Sequence, residues 1–225
     1  MSSKLVLIHT VSSLTEMFTA LCREILPADT EVVHIADEVL LKDLLRHGGI
    51  TPFINHHFSH HVIEAEGFGA DVVLLTCSSI APCVDVAQPM VNIPVLRIDE
   101  AMVDKAIPMA TNIGVIATAP TALKPLAEFV YAKADLAGKE VTVDSVLCDQ
   151  EAYDAMLAGD TETHDRIVSD TLKELMSRND VVLLAQGSMS PVVDTIPPEE
   201  QVVPILSSPR LALERVHGLL KDVAA

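Results

Sequence analysis

The sequence predicts an α/β protein with two similar four-stranded parallel-sheet domains related by pseudo-twofold symmetry. Short apolar runs of strand length alternate along the chain with longer segments of helical spacing, which is typical of parallel sheets covered by helices. A twelve-residue stretch at Asp71–Pro82 recurs at Asp180–Pro191 with seven identical positions. The apolar run at Leu5–Thr10 likewise corresponds to Ile113–Thr118. A repeat of this extent indicates a duplicated α/β unit.

The first half of the chain is expected to contain four strands and the helices between them. Ser13 and Glu16 form a capping-box pattern that predicts the start of the first helix. Gly48 and Gly49 predict the end of the second helix. The predicted strands are Leu5–Ile8, Glu31–Ile35, Val72–Leu75 and Pro94–Ile98, and the later helical segments are Ala36–Arg46, Phe53–Phe68 and a short helix from Pro82 towards Pro89.

The second half repeats this plan after a connecting segment at Asp99–Ile107. Pro125 restricts the start of its first helix, and Gly138 ends that helix. The predicted strands are Ile113–Ala117, Val141–Leu147, Val181–Ala185 and Val203–Leu206, and the predicted helices are Leu123–Leu136, Asp160–Arg178 and Arg210–Val223. We therefore expect one domain at 1–99 plus 208–225, which includes the C-terminal helix, and a second domain at 100–207.

Charge and hydrophobicity exclude several classes of partner. The net charge of −17 makes nucleic acid a poor partner, because phosphate binding requires a basic surface. The apolar runs are too short to span a membrane, so no membrane partner is expected. The N-terminus leads directly into a strand, which gives no sign of a signal peptide and predicts a cytoplasmic protein.

The four cysteines lack a C-x-x-C pair, so reduced thiols are expected. Cys22 lies in an apolar series of helical spacing and is predicted to belong to a core. Cys83 and Cys148 are interpreted as packing residues. Cys77 differs, because it lies in the polar turn that follows the repeated strand.

That turn predicts the position of a functional site. Ligands of parallel α/β sheets bind beyond the carboxyl ends of the strands. The repeat pairs Cys77 with Gln186. Each of these residues lies just after the end of a predicted buried strand. We expect both residues to flank one pocket shared by the two domains.

Three segments together resemble the aspartate/glutamate racemase superfamily, which also includes hydantoin racemases, maleate isomerases and arylmalonate decarboxylases. They are the strand–Thr–Cys–Ser turn at Val72–Ser79, the segment Gly114–Thr121, and the second turn at Leu183–Pro191. The resemblance covers essentially the whole chain. It implies chemistry next to the carboxylate of a small acid without a cofactor, and it suggests a homodimer.

In the two-base members of the superfamily, one cysteine thiolate removes the proton next to the carboxylate and a second thiol returns a proton to the opposite face. The resemblance implies that Cys77 is the first of these groups, with a pKa lowered by the helix that follows it. It also implies a set of substrate-binding donors: Thr76, Ser78, Ser79, Thr118, Thr121 and the N–H groups of Gly187 and Ser188. Thr10 is better explained as a helix cap, although a cap beside the pocket can also contact an anion.

Gln186 stands where the superfamily has its second cysteine, and an amide neither gives nor takes a proton at ordinary pH. Balanced two-base racemisation is therefore in doubt. The chain could instead be a decarboxylase or lyase with a single cysteine, although arylmalonate decarboxylases retain the cysteine of the second half. It could also be a catalytically silent carboxylate-binding protein, or Gln186 could donate a hydrogen bond to the substrate. His9 ends the first strand and is expected to point into the same pocket, where it either replaces the missing acid or bonds to a nearby backbone group.

A run of histidines in the predicted helix Phe53–Phe68 is a candidate metal site. His56 and His60, and likewise His57 and His61, have the i, i+4 spacing that can hold a divalent ion. No further ligand lies nearby in the sequence. A solvated helix face is the preferred interpretation, so no metal ligand is predicted.

Overall fold

The computed structural model describes residues 3–224, with side chains for residues 3–221, and divides into two compact α/β units. The first unit consists of Met1–Glu100 and Pro209–Ala225, and the second of Ala101–Ser208. Residues 1, 2 and 225 of the expected first domain lie outside the described residues. The predicted fold class is confirmed, since each unit contains a four-stranded parallel sheet with flanking helices.

The sheet of the first unit has the strand order β2-β1-β3-β4, and every neighbouring pair is parallel. Its strands are β1 (Lys4–His9), β2 (Glu31–Ala36), β3 (Val72–Leu75) and β4 (Val95–Arg97). The helices that precede the second unit are α1 (Leu14–Ile25), α2 (Glu38–His47), α3 (Pro52–Gly67) and α4 (Cys83–Ala87), with 3-10 turns at Ser78–Ile80 and Gln88–Met90.

The sheet of the second unit repeats this order as β6-β5-β7-β8, again with parallel neighbours. Its strands are β5 (Asn112–Ala117), β6 (Thr142–Leu147), β7 (Val181–Leu184) and β8 (Ile205–Leu206). Its helices are α5 (Glu100–Met109), α6 (Pro120–Leu136), α7 (Gln150–Ala158), α8 (Thr161–Met176) and α9 (Ser190–Thr195), with 3-10 turns at Gly187–Met189 and Pro198–Glu200. Helix α10 (Ser208–Ala224) then returns to the first unit.

Both faces of the first sheet are buried, which explains why Leu5–Ile8 of β1 and Val72–Leu75 of β3 are apolar at every position. On one face, Val73 and Leu75 pack in a cluster that contains Phe58 of α3. On the other, Val72 and Leu74 join a cluster formed with α1 and α10. This packing holds the carboxyl ends of β1 and β3 side by side.

One predicted helix cap and one predicted helix start are wrong. Ser13 has helical backbone angles and makes no side-chain cap, so the capping box does not form. Instead, the carbonyl of Val11 accepts from the Leu14 N–H. Helix α6 begins at Pro120, where a missing N–H costs nothing, and continues through Pro125.

Two further boundaries differ from the predicted ones. Ala36 ends strand β2, and α2 begins at Glu38 after the cap residue Asp37. The prediction also lacks helix α7, whose buried residues are only Ala152 and Ala155. Among residues 3–224, none of the helices combines the length and the apolar content that crossing a membrane requires.

Candidate active site

The first candidate turn is built by two adjacent parallel strands. Ile8 of β1 pairs with Leu75 of β3, and the Thr76 N–H donates to the Ile8 carbonyl at 3.0 Å. Parallel strands end at the same edge of a sheet. His9 and Thr10 therefore lie next to the turn that carries Cys77, as the sequence predicts.

Cys77 is partly exposed and immediately precedes the 3-10 turn Ser78–Ile80. Its sulfur receives hydrogen bonds from the Thr10 hydroxyl, from the Ile80 and Ser79 N–H groups and from the Ser79 hydroxyl. Burial nevertheless raises the pKa of the Cys77 thiol above its ordinary value and exceeds the lowering by these donors. The expected lowering of the pKa is therefore wrong, because the following helical turn is short and the side chain packs against the apolar core.

Thr76 is buried, and its hydroxyl is hydrogen-bonded to other groups of the protein. Its hydroxyl lies 3.1 Å from the Ile8 carbonyl, to which it donates, and 2.9 Å from Nδ1 of His9. Ser78 and Ser79 are also buried, at 8% and 9% exposure. Thr76 therefore fixes the turn, while the carboxylate-binding role of Ser78 and Ser79 stays a prediction.

His9 is completely buried, so its ring faces no open crevice of the first unit. We correct the expectation that it does. Its Nε2 lies 2.9 Å from Nδ1 of His34, and the two rings stack with centroids 5.1 Å apart. Burial, followed by the charge of His34, lowers the pKa of His9 to about 4. His9 is thus a neutral group that supports Thr76.

The hydrogen-bonded chain continues from His34 to Thr19, whose hydroxyl lies 3.1 Å from Nε2 of His34. Both residues line a cavity of about 440 Å³ at the side of the first unit. None of the residues in the Cys77 turn lines this cavity. The candidate residues of the Cys77 turn therefore lie at the carboxyl edge of the sheet and do not line this cavity.

The second candidate turn is organised by the side chain of Gln186. Its Oε1 accepts from the Thr118 N–H at 2.7 Å, from the Ala119 N–H at 3.1 Å and from the Thr118 hydroxyl at 3.1 Å. Two backbone donors identify this atom as the oxygen of the amide. The carboxamide oxygen thus accepts from three donors at the start of α6, and one of these donors is the Thr118 hydroxyl.

The two turns keep the correspondence that the repeat predicts. In the first unit, Thr10 donates to Cys77, and in the second unit, Thr118 donates to Gln186. Thr121 lies in the first turn of α6. Gly187 and Ser188 begin the 3-10 turn Gly187–Met189, and the Ser188 hydroxyl lies 3.9 Å from the Met156 sulfur.

The other three cysteines are buried, as predicted. Burial raises the pKa of Cys22 to about 11, and burial together with Cys77 and Asp85 raises the pKa of Cys83 to about 12. Burial also raises the pKa of Cys148. Cys77 is therefore the one cysteine of the chain that is not fully buried.

Two charged groups at the same edge of the first sheet were missed by the sequence analysis. Arg97 ends β4 and is 6% exposed, and Asp99 is 1% exposed. Nε and Nη2 of Arg97 donate to the two carboxylate oxygens of Asp99 at 2.9 and 3.0 Å. An arginine inside an apolar strand segment was the available signal.

The histidine run also has a partner that the sequence analysis did not find. Nε2 of His57 and Nε2 of His61 lie 2.8 and 2.7 Å from the same oxygen of Asp37. The interpretation of a purely solvated face is therefore corrected for these two residues. His56 and His60 are exposed.

A family model described as Asp/Glu/hydantoin racemase matches residues 5–216 of the chain. A comparison with curated protein sequences finds no match.

Solved structures with the same fold include three enzymes. An allantoin racemase from Klebsiella pneumoniae aligns with a TM-score of 0.68 at 17% identity, over 99% of this chain and 89% of that one. A glutamate racemase isoform from Bacillus anthracis aligns with a TM-score of 0.71 at 21% identity, over 99% and 82%. A mutant of arylmalonate decarboxylase with an associated sulfate ion aligns with a TM-score of 0.62 at 17% identity, over 97% and 93%.

Proposed function

Because the chain belongs to the Asp/Glu/hydantoin racemase family, we propose that it is an enzyme that transfers a proton next to the carboxylate of a small amino acid or dicarboxylate, with Cys77 as the transferring group. One observation carries this proposal. Cys77 is the one cysteine of the chain that is not fully buried, and it lies at the carboxyl end of a buried parallel strand with hydroxyl and N–H donors directed at its sulfur.

In a racemase-like reaction, the thiolate of Cys77 takes the α proton and becomes a thiol. The electron pair left on carbon is delocalised into the carboxylate, where hydrogen-bond donors stabilise the growing charge. We assign this role to the Ser78, Ser79 and Thr121 hydroxyls and to the N–H groups of Gly187 and Ser188. Such donors supply what a metal or an organic cofactor would otherwise provide.

A second candidate, a single-thiol decarboxylase, is favoured by the protonation state of Cys77. Because burial raises the pKa of Cys77, the thiol is protonated at neutral pH and is better suited to donate than to accept. In this reaction the bond to the departing carboxylate breaks, carbon dioxide leaves, and the carbon takes its proton from the Cys77 S–H. The thiolate then regains a proton from water.

Gln186 is assigned a positioning role in either reaction. Its oxygen is held by Thr118 and Ala119, so the Nε2 amide group points away from these donors. An amide in this orientation can donate to a carbonyl or carboxylate oxygen of the substrate but cannot relay a proton. We therefore expect proton transfer from one face of the substrate only.

The test is a screen of small acids in deuterated water with purified protein. Aspartate, glutamate, hydantoins and substituted malonates are the substrates, and the measurements are α-deuterium incorporation by NMR and release of carbon dioxide. Cys77→Ala is expected to lower turnover by roughly a hundredfold or more, because a positioned acid or base is lost. Cys148→Ala, which removes a buried thiol, should leave turnover unchanged.

Two outcomes contradict the proposal. Full turnover by Cys77→Ala would remove Cys77 from the mechanism. Saturable binding of these acids with neither exchange nor carbon dioxide release would instead identify a silent binding protein.

Restoring the second thiol gives a further test. We expect Gln186→Cys to increase interconversion of enantiomers by about tenfold or more, because a group able to carry a proton replaces the amide. Chiral chromatography from each enantiomer measures this rate, and circular dichroism verifies folding. A folded variant with unchanged interconversion would show that Gln186 does not occupy the position of the second base.

A further inference from the structure

We infer that Asp37, His57 and His61 form a binding site for a divalent transition-metal ion, of which Zn²⁺ is the representative. Nε2 of His57, Nε2 of His61 and a carboxylate oxygen of Asp37 all lie within 4.8 Å of one another. Imidazole nitrogens and a carboxylate oxygen are ordinary zinc ligands. This site is separate from the groups assigned to the proposed function.

Local structure orients each ligand. Asp37 is the cap residue of α2, and its Oδ1 accepts from the Val39 N–H at 3.0 Å. Its Oδ2 is thereby directed at the histidines. His57 and His61 are one turn apart on α3, so they project from the same side of that helix. The site thus joins the junction between β2 and α2 to the middle of α3.

The distances between the ligand atoms are slightly shorter than those around a bound zinc ion. The two Nε2 atoms lie 2.8 and 2.7 Å from Oδ2 of Asp37. Ligands of a tetrahedral zinc ion lie about 3.3 Å apart, given metal–ligand distances of about 2.0–2.2 Å. Zinc binding displaces the proton that each Nε2 directs at Oδ2, and it requires each of these two distances to lengthen by only about 0.5 Å.

Two further side chains lie against the ligands. Nδ1 of His61 lies 3.8 Å from Oε2 of Glu64, so a second carboxylate flanks the site without a direct hydrogen bond to the ligand. The ring of His57 stacks on Phe53 with centroids 5.1 Å apart.

The site leaves one position for water. The side chains of Asp37, His61 and His57 are 12%, 19% and 38% exposed, so solvent reaches the ligands without surrounding them. Three protein ligands with an open fourth position are compatible with tetrahedral zinc. We expect the ion to stabilise the first unit, because it links two elements of the native chain.

Calorimetric titration of the chelator-treated full chain with ZnCl₂ tests this inference. We expect one equivalent to bind and to raise the thermal midpoint. Asp37→Asn keeps a capping side chain and removes the charge, and it should weaken zinc binding by roughly tenfold or more, as should His61→Asn. The double variant His56→Asn/His60→Asn removes the matched i, i+4 pair that lacks the carboxylate, and it should bind zinc like the wild type.

Cobalt(II) absorption identifies the ligand atoms independently of affinity. The proposed site contains no sulfur, so the cobalt complex should lack a thiolate charge-transfer band. A thiolate band, no saturable binding, or equal binding by Asp37→Asn would each overturn the inference. Loss of binding in His56→Asn/His60→Asn would do the same. None of these results bears on turnover by Cys77.

Discussion

His9 is a titratable residue whose behaviour is set by burial. Its ring is enclosed between Thr76 and His34, and burial lowers its pKa to about 4. The unfolded chain has an ordinary histidine pKa of about 6.5. Between these values the unfolded state binds a proton that the folded state does not. The contribution of neutral His9 to the free energy of unfolding is therefore fully present above pH 6.5, and it is lost progressively as the pH falls from 6.5 towards 4.

We predict that the free energy of unfolding is lower at pH 5 than at pH 7.5 by about 2 kcal/mol through His9, since each pH unit in this range contributes about 1.4 kcal/mol. His34, whose pKa is also lowered by burial, acts in the same direction. Urea denaturation at both pH values measures the difference.

The variant His9→Gln should reduce this pH dependence, because its side chain does not titrate. His56→Gln changes an exposed histidine of α3 and should preserve the pH dependence of the wild type. An undiminished dependence in His9→Gln would contradict the assignment.

Side-chain pairings could not be read from the sequence. The position of His9 at the end of a strand follows from the sequence, but its contact with His34 depends on the pairing of β1 with β2. The same holds for Asp37, which meets His57 only through the packing of α3. Gln186 was located by the repeat, yet its acceptor role depends on the turn before α6.

Strand β5 shows how an element depends on one small residue. A Cβ on Gly114 would lie 3.1 Å from Nδ2 of Asn179 and 3.3 Å from Cγ2 of Val182. Asn179 cannot move easily, because its Nδ2 donates to Asp144 at 3.1 Å and to the Leu175 carbonyl at 3.0 Å. Gly114 thus permits the close approach of the segment before β7.

We predict that Gly114→Ala lowers the free energy of unfolding by about 1–3 kcal/mol through overpacking. Gly218→Ala is the control, since no atom lies within 4 Å of its added Cβ and the residue is exposed on α10. That variant should gain about 0.5–1 kcal/mol from helix propensity. Chemical denaturation compares the two, and equal effects would contradict the crowding at Gly114.

Elements were predictable where their burial leaves a pattern in the sequence. Strands β3 and β7 are buried at every position, so they are continuous apolar runs. Helix α7 buries only two alanines, which gives a weak apolar stripe, and it was missed. The end of α6 was found because Gly138 adopts a positive φ of 64° that glycine favours.

At the scale of the whole molecule, the first unit is built from two separate parts of the chain. Helix α10 returns after the second unit, and its Leu213 and Val216 pack in the cluster that contains Leu5 and Phe18. The sheet face formed by Leu5, Leu7 and Leu74 therefore depends on α10 for its cover.

We predict that Leu213→Ala lowers the free energy of unfolding by about 2–5 kcal/mol, since Leu213 is completely buried. Leu219→Ala, on the same helix but only partly buried, should cost less. Thermal and urea unfolding measure both variants. Equal losses would show that α10 does not cover the sheet as described.

The return of α10 also has a consequence for biosynthesis. All segments of the second unit are contiguous, so they can assemble as soon as residue 208 has left the ribosome. The first sheet emerges earlier but lacks α10 until the second unit has been translated. The half of the protein that is made first therefore completes its core only after the half that follows it has been synthesised.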